Sequence, residues 1–401
     1  MSLLLATSVV GCIALVLLVP AGVLFTEVLL AVLARRAAPP GSDHRPRVAI
    51  LMPAHNESAV IAGTLKSIGP QLTHGDRLLV VADNCSDDTA ALAAAAGAEV
   101  VSRRNAEQRG KGYALDFGIR HLAADPPDVV IIVDADCQVQ PGCIERLTRL
   151  SARIGRPVQA LYLMHAPAGT GAKMRVAEFA WLVKNQVRPL GLYHARCPCQ
   201  MMGTGMAFPW SCLQSADLAS GHIVEDLKLG LDLARADHPP LFCPEAIVTS
   251  RFPISSEGIE TQRTRWEHGH LSVILNEAPR LLLHSLVRVR MDLLALALDL
   301  CVPPLTLLVL LVMAAWLGGM LLYVFSGTLW PLACATGVAA LLAAAVALSW
   351  ACYGRRVISL GALLSAAGYA LWKIPIYVRF LLARQVDWVR SKRDSGTQNG
   401  E

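Results

Sequence analysis

Residues Val129-Val130-Ile131-Ile132-Val133 are consecutive β-branched side chains, and they run directly into Asp134-Ala135-Asp136. An uninterrupted apolar run of this kind suits a strand buried on both faces, as in a parallel sheet. The two carboxylates then fall at the strand's C-terminal end, the edge where open α/β sheets bind ligands. Residues i and i+2 of extended chain share a side. Asp134 and Asp136 are therefore paired oxygen donors suited to a hard divalent cation such as Mg²⁺, which one or two carboxylates hold together with substrate phosphates. Aspartate is also common in the turn after a strand, so the rest of the chain has to decide.

Upstream, short apolar runs alternate with helical ones. Val48–Met52 reads as a buried strand and Asn56–Ile68 as a helix stopped by Gly69-Pro70. Leu78–Ala82 is a second strand, Asp87–Ala96 an Ala-rich helix closed by Gly97, Glu99–Ser102 a third strand, and Gly112–Leu122 a helix. A β-α-β-α-β-α-β series predicts an α/β fold with a mostly parallel sheet flanked by helices. No G-x-G-x-x-G follows the first strand, which argues against a dinucleotide or S-adenosylmethionine site.

The chain is too apolar for an ordinary soluble enzyme: 54% of its residues are hydrophobic, only 17% are charged, and the mean hydropathy is +0.45. The excess lies at the two ends. Residues 3–34 contain one charge, Glu27, and read as a transmembrane helix. No basic residue precedes this run and it is too long for a signal peptide. Arg35 and Arg36 put the chain beyond them on the cytoplasmic side. Ala37–Ser42 is a linker. Leu300–Phe325 and Leu329–Tyr353 are uncharged and long enough to span, with Ser326-Gly327-Thr328 between them. Val357–Trp372 is short, and a full crossing there would put the basic tail outside, so a re-entrant or interfacial segment is expected. Between the soluble part and these spans, Arg280, His284 and Arg288 recur every four residues, and Pro279 suits a first helical turn. Residues 276–290 are thus expected to form an amphipathic interfacial helix, with an ordinary surface helix as the alternative. Asp299 either lines a polar path or is solvated at the membrane border.

The net charge of +5 is modest and sits largely at membrane borders, so nucleic acid is not an expected partner. The 11 cysteines lack metal-ligand spacing, Cys197-Pro198-Cys199 being the one close pair, and read as free thiols of a reducing compartment.

Further motifs fall on or near the edge that carries Asp134 and Asp136: Pro53-Ala54-His55-Asn56-Glu57, Asp83-Asn84-Cys85-Ser86-Asp87-Asp88-Thr89, and Arg109-Gly110-Lys111-Gly112. An acidic loop can hold a base or ribose, and a lysine among glycines can face a diphosphate. Taken singly, each also makes an unremarkable cap, turn or loop. Downstream come Ile223-Val224-Glu225-Asp226 and Gln262-Arg263-Thr264-Arg265-Trp266. In this order the motifs resemble the membrane-bound family 2 glycosyltransferases of the GT-A fold, the group of cellulose, hyaluronan and chitin-oligosaccharide synthases. Val224-Glu225-Asp226 is similar to that family's T-E-D, with Val for Thr, and Gln262–Trp266 fits its Q-x-x-R-W. The likeness covers roughly residues 47–270. No F-x-V-T-x-K gating loop is present. Glu267-His268-Gly269-His270 has no counterpart, and the intervening Gly makes it read as a loop.

The resemblance implies a set of roles. Asp83 contacts the uracil or ribose of a UDP-sugar in a pocket lined by Pro53, Ala54, Asn56 and Glu57. Asp134 faces the nucleotide, and Asp136, with Asp134, holds Mg²⁺ or Mn²⁺. Lys111 lies near the diphosphate. Asp226 is the general base. Gln262, Arg265 and Trp266 hold the diphosphate and the acceptor end. Gly203, Thr204, Gly205 and Glu225 belong to the acceptor site. Glu225 and Asp226 are equally what a helix N-terminus favours, and Trp266 what a membrane interface favours. The expected organisation is a transmembrane helix to residue 36, a cytoplasmic GT-A domain over 45–275, the amphipathic helix 276–290, a membrane region over 291–383 and a basic cytoplasmic tail over 384–401, in an inner membrane. The expected activity is inverting hexosyl or N-acetylhexosaminyl transfer to a growing β-linked polysaccharide or oligosaccharide. The alternative is a single addition to a polyprenyl phosphate, ceramide or diacylglycerol. Membrane lipids are expected partners, and a second copy or an export partner could complete a pore.

Overall fold

A computed structural model describes residues 2–34, 45–214, 216–219, 224–253 and 256–382. Arg35, Arg36, the 37–42 linker, Ile223 and the 384–401 tail lie outside the described residues. The chain divides into two compact units.

The first unit runs over residues up to 36, 168–197 and 270–384. It opens with α1 (Ser2–Leu33). The second unit, which takes the described residues of 37–167 and 198–269, contains the sheet. Its elements begin with β1 (Val48–Ala54), α2 (Ile61–Ile68), β2 (Arg77–Asp83), α3 (Thr89–Ala95), β3 (Glu99–Arg103), α4 (Lys111–Leu122) and β4 (Val129–Ile132). They continue with β5 (Gln138–Val139), α5 (Cys143–Ile154) and β6 (Val158–His165). The chain then leaves for the first unit through α6 (Ala172–Leu182), a π-helical turn (Val183–Val187) and α7 (Arg188–His194). It returns as β7 (Met206–Pro209), α8 (Trp210–Gln214), α9 (Glu225–Arg235) and β8 (Leu241–Arg251). Then come α10 (Ser256–Val287), α11 (Met291–Leu300), α12 (Leu305–Ser326), α13 (Trp330–Ser349), a second π-helical turn (Trp350–Gly354), α14 (Leu360–Leu364), α15 (Ala366–Trp372) and α16 (Ile374–Leu382).

The sheet has eight strands in the order β3-β2-β1-β4-β7-β6-β8-β5. The β3-β2-β1-β4 half is parallel, as the β-α-β alternation predicts. β7 then runs antiparallel to β4, pairing Ile132 with Met206. That reversal positions the site, because the loop entering β7 must lie where β4 ends. Pro53 is tolerated inside β1 because the β1–β4 pairing stops at Leu51–Ile132, one residue short of needing its missing N–H. Beneath one face, Ala114, Leu115, Ile119 and Leu122 of α4 and Leu229 and Leu233 of α9 pack on Leu51, Val81, Ile132 and Phe208.

Some expected boundaries move, each for a local reason. The helix expected from Asn56 begins at Ile61, because Asn56 sits in the left-handed region at φ 53°. The span expected from Leu300 begins at Leu305, after Pro303-Pro304 breaks the helix. Residues 276–290 do not start a helix at Pro279. As far as Val287 they continue α10, with Pro279 inside it, and residues 288–290 turn out of the helix. Glu267-His268-Gly269-His270 is likewise helical rather than a loop. Residues 168–197 leave the expected 45–275 domain, because Val176, Phe179, Leu182 and Val187 share an apolar core with Leu17, Leu24, Leu308 and Leu342 of the first unit.

Among the described residues, the helical stretches Leu3–Leu33, Leu305–Ser326 and Trp330–Gly354 are long and apolar enough to cross a membrane. Residues 360–382 are divided into three short helices. Inside this unit Arg188 is buried between two carboxylates. Its Nε donates to Glu27 Oε2 at 2.8 Å, and its Nη2 to the Asp299 side chain at 2.5 Å and backbone carbonyl at 2.6 Å. Asp299 is therefore buried and paired rather than solvated.

Candidate active site

The loops after β1 and β2 are stitched together side by side. Asn56 and Asn84 both adopt positive φ, which asparagine tolerates better than most residues. The Asn56 Oδ1 accepts from Ser86 N at 2.7 Å, and Glu57 N donates to Thr89 Oγ1 at 2.8 Å. Asp87 accepts from Thr89 and from Ser58 N. Although burial pushes its carboxyl up, these hydrogen bonds prevail and bring it down to about 2. Asp87 is thus spent on the loop. Asp83, by contrast, ends β2 as a buried carboxylate. Its Oδ1 accepts from Arg103 Nη1 at 2.7 Å and from Asn84 Nδ2 at 3.1 Å. Arg103 also donates to the Gln108 carbonyl at 2.8 Å, which fastens the loop leading to Lys111.

Lys111 opens α4, after Gly110 at φ 128°, a conformation closed to most side chains. Its Nζ lies 2.6 Å from Asp134 Oδ1 and donates to Gly203 O at 2.5 Å. Burial alone would lower the Lys111 pKa, but Asp134, Glu225 and Asp226 together raise it, so the group is a firm ammonium. Asp134 moves up from its usual range through burial and the neighbouring Asp136, with Lys111 opposing.

Because β7 is antiparallel to β4, Gly203-Thr204-Gly205 lies directly beside the Asp134 turn. Asp134 N donates to Thr204 Oγ1 at 3.0 Å. Gly203 and Gly205 have φ of 93° and 64°, and a Cβ on Gly203 would stand 3.1 Å from Asp226 Oδ2. The loop is held from below by Gln159, fully buried on β6. Its amide donates to Thr204 O at 2.9 Å and accepts from Met202 N at 2.8 Å. Glu225 and Asp226 form the first turn of α9, where the helix dipole favours negative charge. Burial and Asp226 nevertheless push the Glu225 carboxyl up to about 7, with Lys111 opposing. The two carboxylates border a small recess whose apolar walls include Gly112, Leu115, Met206 and Leu229. Those apolar walls account for the desolvation.

These contacts bring together Lys111, Asp134, Gly203, Thr204, Glu225 and Asp226, with Asp136 in the same turn as Asp134. Pro53, Ala54, Asn56, Glu57 and Asp83 form the adjoining loop pair. Gln262, Arg265 and Trp266 come from a separate element, one face of α10, where each is half-buried. His268 and His270, two positions apart on that helix, are turned about 200° from each other and cannot chelate together. Among the described residues no group of three or more His, Cys, Asp or Glu is placed to hold a metal. Sequence reasoning missed Gln159 and Arg103. The former was marked by being the polar residue in an apolar strand run.

The fold has solved counterparts. A mannosyltransferase from Pyrobaculum calidifontis, in complex with GDP-mannose and Mn²⁺, superposes with a TM-score of 0.55 at 16% identity, covering 94% of this chain and all of that one. The architecture is therefore GT-A-like, a mixed sheet flanked by helices with apolar helices at both ends. The pattern of the family described as Glycosyltransferase like family 2 matches residues 46–269, more than half the chain, and the chain belongs to that family. Among curated relatives it is 41% identical over 96 residues to a glucosyl-3-phosphoglycerate synthase of Mycobacterium tuberculosis. It is 26% identical over 245 residues to a probable glycosyltransferase, YdaM, of Bacillus subtilis. These matches cover 22% and 57% of this chain, and 28% and 56% of the relatives' lengths.

Proposed function

We propose that this protein is a membrane-embedded, inverting glycosyltransferase that moves a hexosyl or N-acetylhexosaminyl group from a UDP- or GDP-sugar to an acceptor hydroxyl. The observation that carries the reading is the carboxylate cluster around one lysine. Asp134, Asp136, Glu225 and Asp226 outnumber the single ammonium of Lys111 in a half-buried site. Of these, Asp134 and Asp136 are the hard oxygen donors at the strand end, the kind of carboxylate pair that takes a divalent cation together with substrate phosphates. Asp136 and Asp134 would hold Mg²⁺ or Mn²⁺, the second being the ion bound by the mannosyltransferase of similar fold. When bound, the cation neutralises the diphosphate as it departs.

The remaining work falls to the chain itself. Asp83 and the 53–57 loop take the base and ribose. Lys111, released from Asp134, faces the diphosphate. Asp226 accepts the acceptor's proton as its oxygen forms a bond to the anomeric carbon. The bond from that carbon to the diphosphate breaks, and the nucleoside diphosphate leaves with the electron pair. One displacement inverts the anomeric centre. Gly203–Gly205 floors the acceptor site, and Gln262, Arg265 and Trp266 close over the donor and exclude water.

Q-x-x-R-W supports a growing polysaccharide or oligosaccharide as acceptor. A specific observation favours a second reading, single addition to a lipid. Only three helices among the described residues are long enough to cross a membrane, few for one chain to enclose a polymer channel. The test is product analysis of the full chain in lipid nanodiscs with labelled UDP- and GDP-sugars and Mg²⁺ or Mn²⁺, beside Asp226→Asn. We expect transfer in the wild type and a 10²–10⁴-fold loss, roughly, in the variant. A ladder names a synthase and a single lipid-extracting species names a lipid transferase. Equal transfer by Asp226→Asn removes Asp226 as base.

A further inference from the structure

The corner between α10 and α11 is built against ordinary rules for a water-facing turn. Helix α10 ends at Val287, and the chain reverses through hydrogen bonds from Val289 N to Leu286 O and from Arg290 N to Ser285 O, at 3.3 and 2.9 Å. This is the helix stop whose left-handed position glycine normally fills. Here Val289 fills it at φ 52°, a conformation β-branched residues rarely adopt. No packing compensates, since Val289 is 81% exposed. Leu283, Leu286, Val287 and Met291 around it are between 64 and 71% exposed. Backbone strain that exposes a cluster of apolar side chains calls for something outside the chain to cover them.

The rim says what covers them. Arg280 and Arg288 are exposed beside the tip; Arg280 lies 3.4 Å from Glu277 on the same helix, and Arg288 makes no ion pair among the described residues. Arg290 is paired with Asp292 at 2.7 Å. A second copy of the same surface would set arginine against arginine. An anionic leaflet offers phosphates to the arginines and an acyl boundary to the apolar tip. The corner also belongs to the unit that holds the three apolar helices.

We propose that residues 283–291 form a lipid-anchoring knuckle that inserts its apolar tip into the headgroup–acyl boundary of an anionic leaflet, with Arg280 and Arg288 on the phosphates. The proposal rests on the membrane location proposed for this chain and not on the sugar chemistry.

The test uses the full chain in nanodiscs of phosphatidylcholine, with or without phosphatidylglycerol, made with lipids brominated near the carbonyl. An environment-sensitive fluorescent amino acid is incorporated at position 289. Position 317, exposed within α12, serves as the membrane control, and position 237, an exposed turn of the sheet unit, as the aqueous one. We expect lipid quenching at 289 to reach at least half that at 317 and to exceed that at 237 severalfold. Arg280→Glu with Arg288→Glu should abolish any gain from phosphatidylglycerol. Val289→Gly relieves the strain, so a purely structural turn predicts unchanged quenching at position 287, whereas the knuckle predicts a fall of at least twofold. Quenching at 317 but not at 289 overturns the proposal alone. Absence of quenching at both overturns the membrane location as well. Emission at 289 that depends on protein concentration instead of lipid assigns the face to a second copy and overturns the proposal.

Discussion

At the scale of single residues, the site is defined by which carboxylates are spent and which are not. Asp87 gives its oxygens to Thr89 and Ser58, and Asp83 shares one oxygen with Arg103 and Asn84. Glu225 differs, since its carboxyl is held up at about 7 by burial and Asp226. A carboxyl whose folded pKa lies above its ordinary 4.5 binds its proton more tightly in the folded chain. Its contribution to stability is complete below the ordinary value and is lost as pH rises through about 7. A divalent cation held by Asp134 and Asp136, as proposed above, would oppose this by favouring ionised Glu225. Mn²⁺ with a nucleoside diphosphate should therefore raise the apparent melting temperature more at pH 8 than at pH 6. Glu225→Gln should make the two gains equal. A wild-type gain independent of pH, or a pH difference retained in the variant, would remove Glu225 from the metal's surroundings.

At the scale of elements, the decisive piece is the Gly203–Gly205 loop entering β7. A Cβ on Gly205 would stand 2.8 Å from the Ala160 Cβ and 2.9 Å from Val248 Cγ2, at a φ of 64°. Gly205→Ala thus combines backbone strain with overpacking, about 2–4 kcal/mol in all. Gly97 also has positive φ, yet its Cβ would meet nothing within 4 Å, so Gly97→Ala carries the strain alone, about 1 kcal/mol. Thermal unfolding of both variants, with nucleotide titration of Gly205→Ala, separates the two costs. Donor affinity should fall in Gly205→Ala because Asp134 N bonds to Thr204 Oγ1 in the same loop. Equal shifts in the two variants would refute the space argument.

At the scale of the whole molecule, the chain crosses between its two units several times, and a buried ion pair fixes one crossing segment. Arg188, from the stretch between β6 and β7, sits between Glu27 of α1 and Asp299 of α11. Removing the cation strands two buried carboxylates, so Arg188→Met should destabilise the protein by about 3–5 kcal/mol. Adding Glu27→Gln and Asp299→Asn removes the stranded charges and should restore most of that loss. Apparent melting temperatures in nanodiscs measure both. Failure of the triple variant to recover would mean that the guanidinium matters for its shape rather than its charge.

Much of the sheet-bearing part of the chain was legible in the sequence because its signals are local. Consecutive β-branched residues make Val129–Ile132 a strand whatever lies around them, and the turn that follows it presents Asp134 and Asp136 at one edge. The β-α-β alternation forces a parallel half-sheet through the handedness of its crossovers, and long uncharged runs mark the apolar helices by length alone. What the tertiary structure alone decided depends on partners remote in sequence. The antiparallel entry of β7 brings Gly203 and Thr204 to Lys111 and Asp134, and the start of α9 sets Asp226 against Gly203. The buried Gln159 takes its meaning from the loop it supports. Glu27, Arg188 and Asp299 look like isolated charges until α1, α7 and α11 meet. Asn56 and Val289 defeated local expectation for the same reason: backbone conformation there is fixed by the contacts of a turn, which residue type and periodicity do not encode.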